Sequence, residues 1–141
     1  MKNKTLRPFH LAFPIIDIEK TKKWYINILG CTIGRESEQW VDFNFFGHQI
    51  SGHLVTESNS CSKNEVDKKK IPVRHFGIIL SFSEWESLVA RLNYLEIDFI
   101  IKPYVRFKKE KGEQATLFIK DPSNNYLEFK AFKNDEMIFQ R

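Results

Sequence analysis

A turn that leads directly into a strand is encoded by residues 121–132, which read Asp-Pro-Ser-Asn-Asn-Tyr-Leu-Glu-Phe-Lys-Ala-Phe. Pro122 fixes its own φ, and Asp and Asn side chains bond back to nearby backbone, so the first five residues predict a turn. From Tyr126 onward polar and apolar residues alternate, which predicts a strand that ends at Phe132. Glu128 therefore points away from the apolar face of this strand. If that face is sheltered, the carboxylate needs a partner, because an unpaired buried charge is costly.

Length and composition indicate one globular domain. The chain has 141 residues, of which 42% are hydrophobic and 14% aromatic, enough to bury a core. The net charge of +4 comes from Lys and Arg interleaved with Asp and Glu, whereas a nucleic-acid-binding protein more often has one dense basic stripe. There is no signal-peptide pattern and no apolar run of membrane-spanning length, and two cysteines are too few for a disulfide framework. We therefore expect a cytoplasmic protein that binds neither nucleic acid nor membrane.

Residues 6–57 predict a strand, a helix and three further strands. The first strand covers residues 6–14, and Asp17 and Gly30 are the predicted N-terminal and C-terminal caps of the helix, whose apolar residues recur at helical spacing. The later strands are predicted at residues 31–35, 39–46 and 48–56. Residues 58–71 are polar, lysine-rich and free of periodicity, and this predicts a linker.

The same order of elements begins again after the linker and gives a second module at about residues 72–132. Ser83 and Glu86 predict a capping box at the start of a helix that ends near residue 95. The strands are predicted at residues 73–81, 97–101, 115–120 and 126–132. Residues 103–113 predict a basic loop, and residues 133–141 carry no structural prediction. The chain is therefore an internal repeat of strand, helix and three strands.

Strand parity places several polar side chains on the faces opposite the helices. His10 and His75 occupy this face in the first strand of each module, Gln49 and His53 in the fourth strand, and Glu128 in the last. If the two sheets curl toward each other, these residues line one shared cleft. Two histidines and a carboxylate form the facial triad that holds a divalent metal with open coordination positions. The absence of cysteine ligands argues against a closed structural zinc site.

Each ligand candidate also has a purely structural interpretation. His10 and His75 could be half-buried histidines that bond to backbone carbonyls. Glu128 could pair with Arg7 or Lys130 at a sheet edge.

Four further residues are candidates for proton transfer or substrate binding. His53 could act as a general base near neutral pH or could orient another ligand. Gln49, Tyr104 and Arg106 are candidate substrate contacts, and Arg106 could bind a carboxylate or phosphonate. For Tyr104 and Arg106 the alternative is a solvent-exposed basic loop. His48 shares its parity with apolar neighbours, so we interpret it as structural or as lying at the turn.

The motifs taken together resemble the vicinal oxygen chelate superfamily, which includes glyoxalase I, extradiol dioxygenases, fosfomycin-resistance thiol transferases and bleomycin-resistance binding proteins. The resemblance covers about residues 6–132. It is carried by Leu6-Arg7-Pro8-Phe9-His10, by Trp24-Tyr25, by Arg74-His75-Phe76-Gly77 and by the Asp-Pro-Ser-Asn-Asn-Tyr-Leu-Glu stretch. It implies an α+β fold in which two βαβββ modules form an eight-stranded, incompletely closed barrel around a central cleft, commonly in a homodimer.

The resemblance also implies a site and a chemistry. His10, His75 and Glu128 stand at the family's metal positions, so the implied cofactor is a divalent ion such as Fe²⁺, Mn²⁺, Zn²⁺ or Ni²⁺. Asn124 replaces the usual turn glycine, which is tolerated because Asn adopts the left-handed region. Glyoxalase I enzymes add a glutamate on the fourth strand, and here that stretch has no acid, which leaves His53 as a possible fourth ligand or acid/base group.

The implied reaction is dioxygenase-type or glyoxalase-type (lyase) chemistry on a small substrate that binds the metal through adjacent oxygens. The alternative is a metal-free small-molecule or drug-binding protein of the bleomycin-resistance type. The intact triad argues against that alternative, because such binding proteins generally lack it.

Overall fold

The computed structural model describes residues 5–57 and 62–141. The chain divides into two compact units, residues 1–59 and residues 60–141. Each unit contains a four-stranded sheet, and the second unit also contains a two-stranded sheet. The strand order is the same in both four-stranded sheets, which confirms the α+β class and the internal repeat. The eight-stranded barrel remains a prediction.

The first unit follows the predicted order of strand, helix and three strands. Its elements are β1 (His10–Ile15), α1 (Ile18–Leu29), β2 (Thr32–Glu36), β3 (Trp40–Phe45) and β4 (His48–Leu54). The sheet order is β1-β4-β3-β2, with β1 parallel to β4. The predicted caps of α1 are confirmed, because the Asp17 carboxylate accepts the Lys20 N–H at 2.8 Å and Gly30 takes a left-handed conformation with φ 71°.

The core of the first unit is aromatic. Tyr25 of α1 is fully buried, and its ring lies 4.9 Å from that of Phe43 and 5.7 Å from that of Phe13. Phe13 and Ile15 lie on the buried face of β1, so His10, Ala12 and Pro14 face the other way. Cys31 is a free, buried thiol, and burial raises its pKa to about 12. Cys61 lies outside the described residues.

The first strand is shorter at its start than predicted and longer at its end. Residues 5–9 are not in a strand, and Leu6 and Phe9 are exposed, so they gain little from packing on the core. Pro14 was expected to end the strand, but β1 continues to Ile15. Because β1 pairs only with β4 and lies at the edge of its sheet, the missing N–H of proline is tolerated there.

The second unit repeats the first and adds a hairpin. Its elements are β5 (Ser62–Val66), β6 (Lys69–Val73), β7 (His75–Leu80), α2 (Phe82–Tyr94), β8 (Ile101–Arg106), β9 (Gln114–Lys120), β10 (Tyr126–Phe132) and a short 3-10 helix (Asp135–Met137). The sheet order is β7-β10-β9-β8, with β7 parallel to β10. Within the part of the chain that the structure describes, neither helix is long and apolar enough to cross a membrane.

The prediction of an irregular linker at residues 58–71 is wrong for residues 62–71, which form most of the β5–β6 hairpin. Residues 58–61 lie outside the described residues. Asp67 and Lys68 form the two-residue turn, with φ 52° and 61°, as a tight hairpin turn requires. Hydrophobic alternation could not reveal this hairpin, because most residues on both faces of β5 are polar and exposed.

The start of the second helix differs from the prediction by two residues. The capping box is formed by Ser81 and Glu84, not by Ser83 and Glu86. Both pairs have the required spacing. Only a cap at Ser81 places buried residues, Leu80 and Trp85, at the two positions that form a hydrophobic staple.

The predicted strand at residues 97–101 is wrong except at its last residue, and the predicted loop at residues 103–113 is wrong for residues 103–106 and confirmed for residues 107–113. Residues 97–100 are outside strands, and β8 instead occupies Ile101–Arg106. Pro103 is tolerated because β8 lies at the edge of its sheet. The consequence for function is that Tyr104 and Arg106 lie on a strand and not in a loop.

The turn before β10 is confirmed. The buried Asp121 carboxylate accepts the N–H groups of Ser123 at 2.8 Å and Asn125 at 2.9 Å, and Asn124 takes a left-handed conformation with φ 61°. The strand that follows has the predicted bounds, and Leu127 and Phe129 are buried on the face opposite Glu128.

Candidate metal and substrate site

Glu128 has its partners within the second unit. Strand β10 lies between β7 and β9, so Glu128 is flanked by Gly77 on one side and Phe118 on the other. Glu128 Oε2 lies 3.0 Å from His75 Nε2, and Oε1 accepts the Thr116 hydroxyl at 2.8 Å. The carboxylate is therefore satisfied on the face of the sheet and not by an ion pair at its edge.

Both ring nitrogens of His75 face hydrogen-bond acceptors. Nδ1 lies 2.6 Å from the Pro72 carbonyl oxygen, and Nε2 faces Glu128. The Phe118 ring meets the imidazole edge-on with a centroid distance of 4.9 Å. Because the Pro72 carbonyl accepts only, Nδ1 carries a proton. The contact with Glu128 is then favourable only if Nε2 carries a second proton or directs its lone pair at a cation.

The pKa values of both groups reflect this contact. The hydrogen bond to Glu128 raises the pKa of His75 above its usual value, although burial opposes this. Burial alone would raise the pKa of Glu128, but the hydrogen bonds from His75 and Thr116 outweigh burial and lower the pKa. The site therefore favours a positive charge at Nε2 and a negative charge on the carboxylate.

This donor set suits a metal ion. Metal-binding histidines usually donate their second N–H to a backbone carbonyl or carboxylate, as His75 does to Pro72. Imidazole and carboxylate are ligands for iron, manganese, nickel and zinc. Within residues 5–57 and 62–141, however, no three His, Cys, Asp or Glu side chains are grouped so that they could hold an ion. His75 and Glu128 are two candidate ligands, and His10 belongs to the first unit.

The candidate residues of the first unit share one face of its sheet. His10 lies opposite Gln49 in the β1–β4 register, and Pro14 lies opposite His53. His10, Gln49 and His53 are all exposed. The parity that the sequence predicted for these three residues is therefore correct within this unit.

A pocket of about 310 Å³ has Gln49 and Asp42 in its wall. The amide of Gln49 lies 3.5 Å from Asp42 Oδ2, and the Ser51 hydroxyl donates to the same carboxylate. His48 also lines this pocket and accepts the Phe9 N–H at Nδ1 over 2.8 Å.

Tyr104 and Arg106 both contact the tip of the β5–β6 hairpin. The Tyr104 hydroxyl donates to Asp67 Oδ2 at 3.2 Å, and the Arg106 guanidinium forms an ion pair with the same carboxylate, with Nη2 3.4 Å from Oδ1. The Lys69 ammonium lies 4.8 Å from the centre of the Tyr104 ring. Arg106 is therefore already paired with a carboxylate of this chain.

Two side chains that contact the candidate residues were missed by the sequence analysis. The sequence did carry a signal for Thr116, because it is a polar residue at the parity of Glu128 in the middle of a strand whose other central residues are apolar. Asp67 would have been identified only if the Asp-Lys pair had been interpreted as a hairpin turn.

Comparisons with known proteins agree with this architecture. Residues 7–129 match the Glyoxalase/Bleomycin resistance protein/Dioxygenase superfamily. No curated protein matches the chain. A solved glyoxalase/bleomycin resistance protein/dioxygenase from Alicyclobacillus acidocaldarius is 32% identical, with 99% of this chain and 100% of that chain covered and a TM-score of 0.80.

Two more distant structures share the fold. A genomically encoded fosfomycin resistance protein from Listeria monocytogenes is 15% identical, with 95% and 98% of the two chains covered and a TM-score of 0.68. A lactoylglutathione lyase from Agrobacterium tumefaciens is 16% identical, with 93% and 96% covered and a TM-score of 0.60.

Proposed function

Because this chain belongs to the Glyoxalase/Bleomycin resistance protein/Dioxygenase superfamily, we propose that it is a metal-dependent enzyme whose divalent ion is held by His10, His75 and Glu128. Its substrate is a small molecule that binds through vicinal oxygens, and its reaction is of the dioxygenase or the glyoxalase (lyase) type. The observation that carries the proposal is the contact of 3.0 Å between His75 Nε2 and Glu128 Oε2.

That contact supports a metal site because His75 Nδ1 and Glu128 Oε1 already have hydrogen-bond partners in the protein. The Pro72 carbonyl fixes the proton on Nδ1 of His75, so Nε2 is the ligand atom. The Thr116 hydroxyl occupies Oε1 of Glu128, so Oε2 is the ligand atom of the carboxylate. Each residue thus has one atom held by the protein and one directed at its neighbour. A divalent ion would replace the proton at Nε2.

A divalent ion bound here would supply Lewis-acid activation of substrate oxygens. The protein's own residues would orient the substrate and move protons. His53, which is exposed, is the proposed proton-transfer group, since an imidazole can both donate and accept a proton. Gln49 is a proposed substrate contact in the first unit. Tyr104 and Arg106 are proposed contacts in the second, where the substrate would share them with Asp67.

The length of the chain favours glyoxalase-type over dioxygenase-type chemistry, because the chain covers 96% of the lactoylglutathione lyase. The absence of an acid on β4 favours a three-ligand site.

Calorimetric titration of chelator-treated protein with Mn²⁺, Fe²⁺, Ni²⁺ and Zn²⁺ tests the proposal. Wild type should bind at least one of these ions stoichiometrically, and His10→Ala, His75→Ala and Glu128→Ala should each abolish or strongly weaken binding. Thr116→Val should weaken it about 10- to 100-fold, as expected for a residue that supports a ligand.

Glu136→Ala is the matched control, because Glu136 is an exposed carboxylate on the 3-10 helix. It should bind metal as wild type does. If wild type binds none of the four ions, the proposal fails and a metal-free small-molecule-binding protein is the remaining interpretation.

A further inference from the structure

A second cavity, of about 390 Å³, lies wholly within the second unit and is lined by basic and apolar side chains. Its basic residues are Arg106, Lys111 and Lys130. Its apolar wall includes Phe107 and Phe132. None of the described residues that line it is acidic. We infer that this cavity binds the anionic end of a small organic substrate that has an apolar body, and that Lys130 is the principal charge contact.

The register of the strands places this cavity beside the His75–Glu128 pair. Lys130 follows Glu128 by two residues on β10, so both side chains lie on the same face, about 7 Å apart along the strand. Thr116 is the register partner of Lys130 on β9 and donates its hydroxyl to Glu128. A small molecule could therefore place its anionic group at Lys130 and its reactive oxygens at Glu128.

The charges of the cavity favour an anion. Arg106 is paired with Asp67, which offsets its charge. Within residues 62–141, neither Lys111 nor Lys130 forms a salt bridge with a carboxylate. The Lys130 ammonium lies 5.4 Å from the centre of the ring of Phe132, which also lines the cavity. The Lys130 charge also acts on the Glu128 carboxylate, but neither ammonium group is held in a salt bridge, so both can attract a carboxylate or a phosphonate.

The volume and the apolar wall set the size and the nature of the rest of the ligand. A cavity of about 390 Å³ is at the lower end of the range for small-molecule sites. Met137 and Ile138, which follow the last strand, add further apolar surface to the wall. A plain inorganic anion would leave this surface uncovered. An aryl or alkyl carboxylate or phosphonate would cover it.

The inference rests on the proposed function for the reactive end of the substrate, but the anion site can be tested without a metal. The test titrates ¹⁵N-labelled protein in excess EDTA with phenylacetate, benzylphosphonate or the neutral phenylacetamide. NMR spectroscopy follows the chemical shifts of the backbone amides. We expect saturable binding of one or both anions, with the largest shifts at Gln114 and Phe132 in the cavity wall. If just one anion binds, the inference is supported and the charged group is identified.

Lys130→Met should weaken anion binding about tenfold and leave phenylacetamide unaffected. Lys120→Met is the matched control, since Lys120 is an exposed lysine at the far end of β9, about 20 Å from Gln114. Lys111→Met removes the other ammonium group of the cavity, which lies in the loop before β9. It provides the same test if Lys130→Met does not fold. The inference is overturned if neither anion binds, if phenylacetamide binds as tightly as phenylacetate, or if the variants in the cavity bind as wild type does.

The two proposals fail separately. Metal binding without anion binding would remove the anion site and leave the metal-dependent function. Anion binding without metal binding would remove the metal-dependent function and leave the anion site.

Discussion

Glu128→Gln removes the negative charge next to His75 and leaves an amide of nearly the same size in its place. The amide oxygen can still accept the Thr116 hydroxyl, and the amide nitrogen would face His75 Nε2. The substitution therefore separates the electrostatic contribution of the pair from its packing. Because the two pKa values are shifted in opposite directions, the effect on the free energy of unfolding depends on pH in a defined way.

The pKa of His75 is raised from 6.5, so its pairing stabilises the fold below that pH and the stabilisation is lost as pH rises through the raised value. The pKa of Glu128 is lowered from 4.5, so its contribution is present above that pH and is lost as pH falls through the lowered value. Both contributions are complete between pH 4.5 and 6.5. This window is where wild type and variant should differ most.

The expected difference at about pH 5.5 is about 1–2 kcal/mol in favour of wild type. A charge-assisted hydrogen bond contributes more than this when fully buried, but His75 is 28% exposed and Glu128 17% exposed, so solvent screens the pair. At about pH 9 the neutral imidazole of wild type directs its Nε2 lone pair at the carboxylate. In the variant, the amide N–H of residue 128 can donate a hydrogen bond to that lone pair. The difference should therefore fall below about 0.5 kcal/mol or change sign.

Urea unfolding in EDTA, followed by tryptophan fluorescence, measures the difference at each pH. Trp85 is buried in the same unit and donates its indole N–H to the Phe129 carbonyl, so it reports on the strand that carries Glu128. Glu136→Gln is the matched control and should show no pH-dependent difference. A difference that is equal at both pH values, or larger at the higher one, would refute the assignment of charges to this pair.

Substitutions at four further positions test the local structure by their effect on the free energy of unfolding in urea titrations. Gly77→Ala should cost more than about 3 kcal/mol, because an added Cβ would stand 1.5 Å from the Glu128 carbonyl oxygen, and a cost below about 1 kcal/mol would contradict this strand register. Ser81→Ala should cost about 1 kcal/mol and Ser83→Ala less than about 0.5 kcal/mol, whereas the opposite ranking would move the helix cap to Ser83. Asn124→Ala should cost about 1 kcal/mol and Asn124→Gly nothing, since the residue has φ 61°, and equal costs would argue against a left-handed conformation there.

Where hydrophobic alternation or cap residues were strong, the sequence predicted the structure closely. The bounds of β10 and the caps Asp17 and Gly30 are as predicted, because side-chain parity and capping are local properties of the chain. The parity of His75 and Glu128 was also correct, and it led to a pair that the structure brings into contact.

The errors arose where local signals were ambiguous or absent. Two Ser-x-x-Glu pairs competed for the cap of α2, and the choice between them depends on the burial of Leu80 and Trp85, which is a tertiary property. The β5–β6 hairpin is polar on both faces of β5, so its strands lack the alternation on which strand prediction relies. The contact of Asp67 with Arg106 joins residues 39 positions apart, and no local pattern encodes it.

Elemental analysis of protein purified without added metal or chelator tests the metal-dependent function most directly. Wild type should contain a stoichiometric amount of iron, manganese, nickel or zinc, Glu128→Ala should contain none, and the Glu136→Ala control should match wild type. If wild type contains no metal, and still binds none after reconstitution with each ion, the metal-dependent function is contradicted.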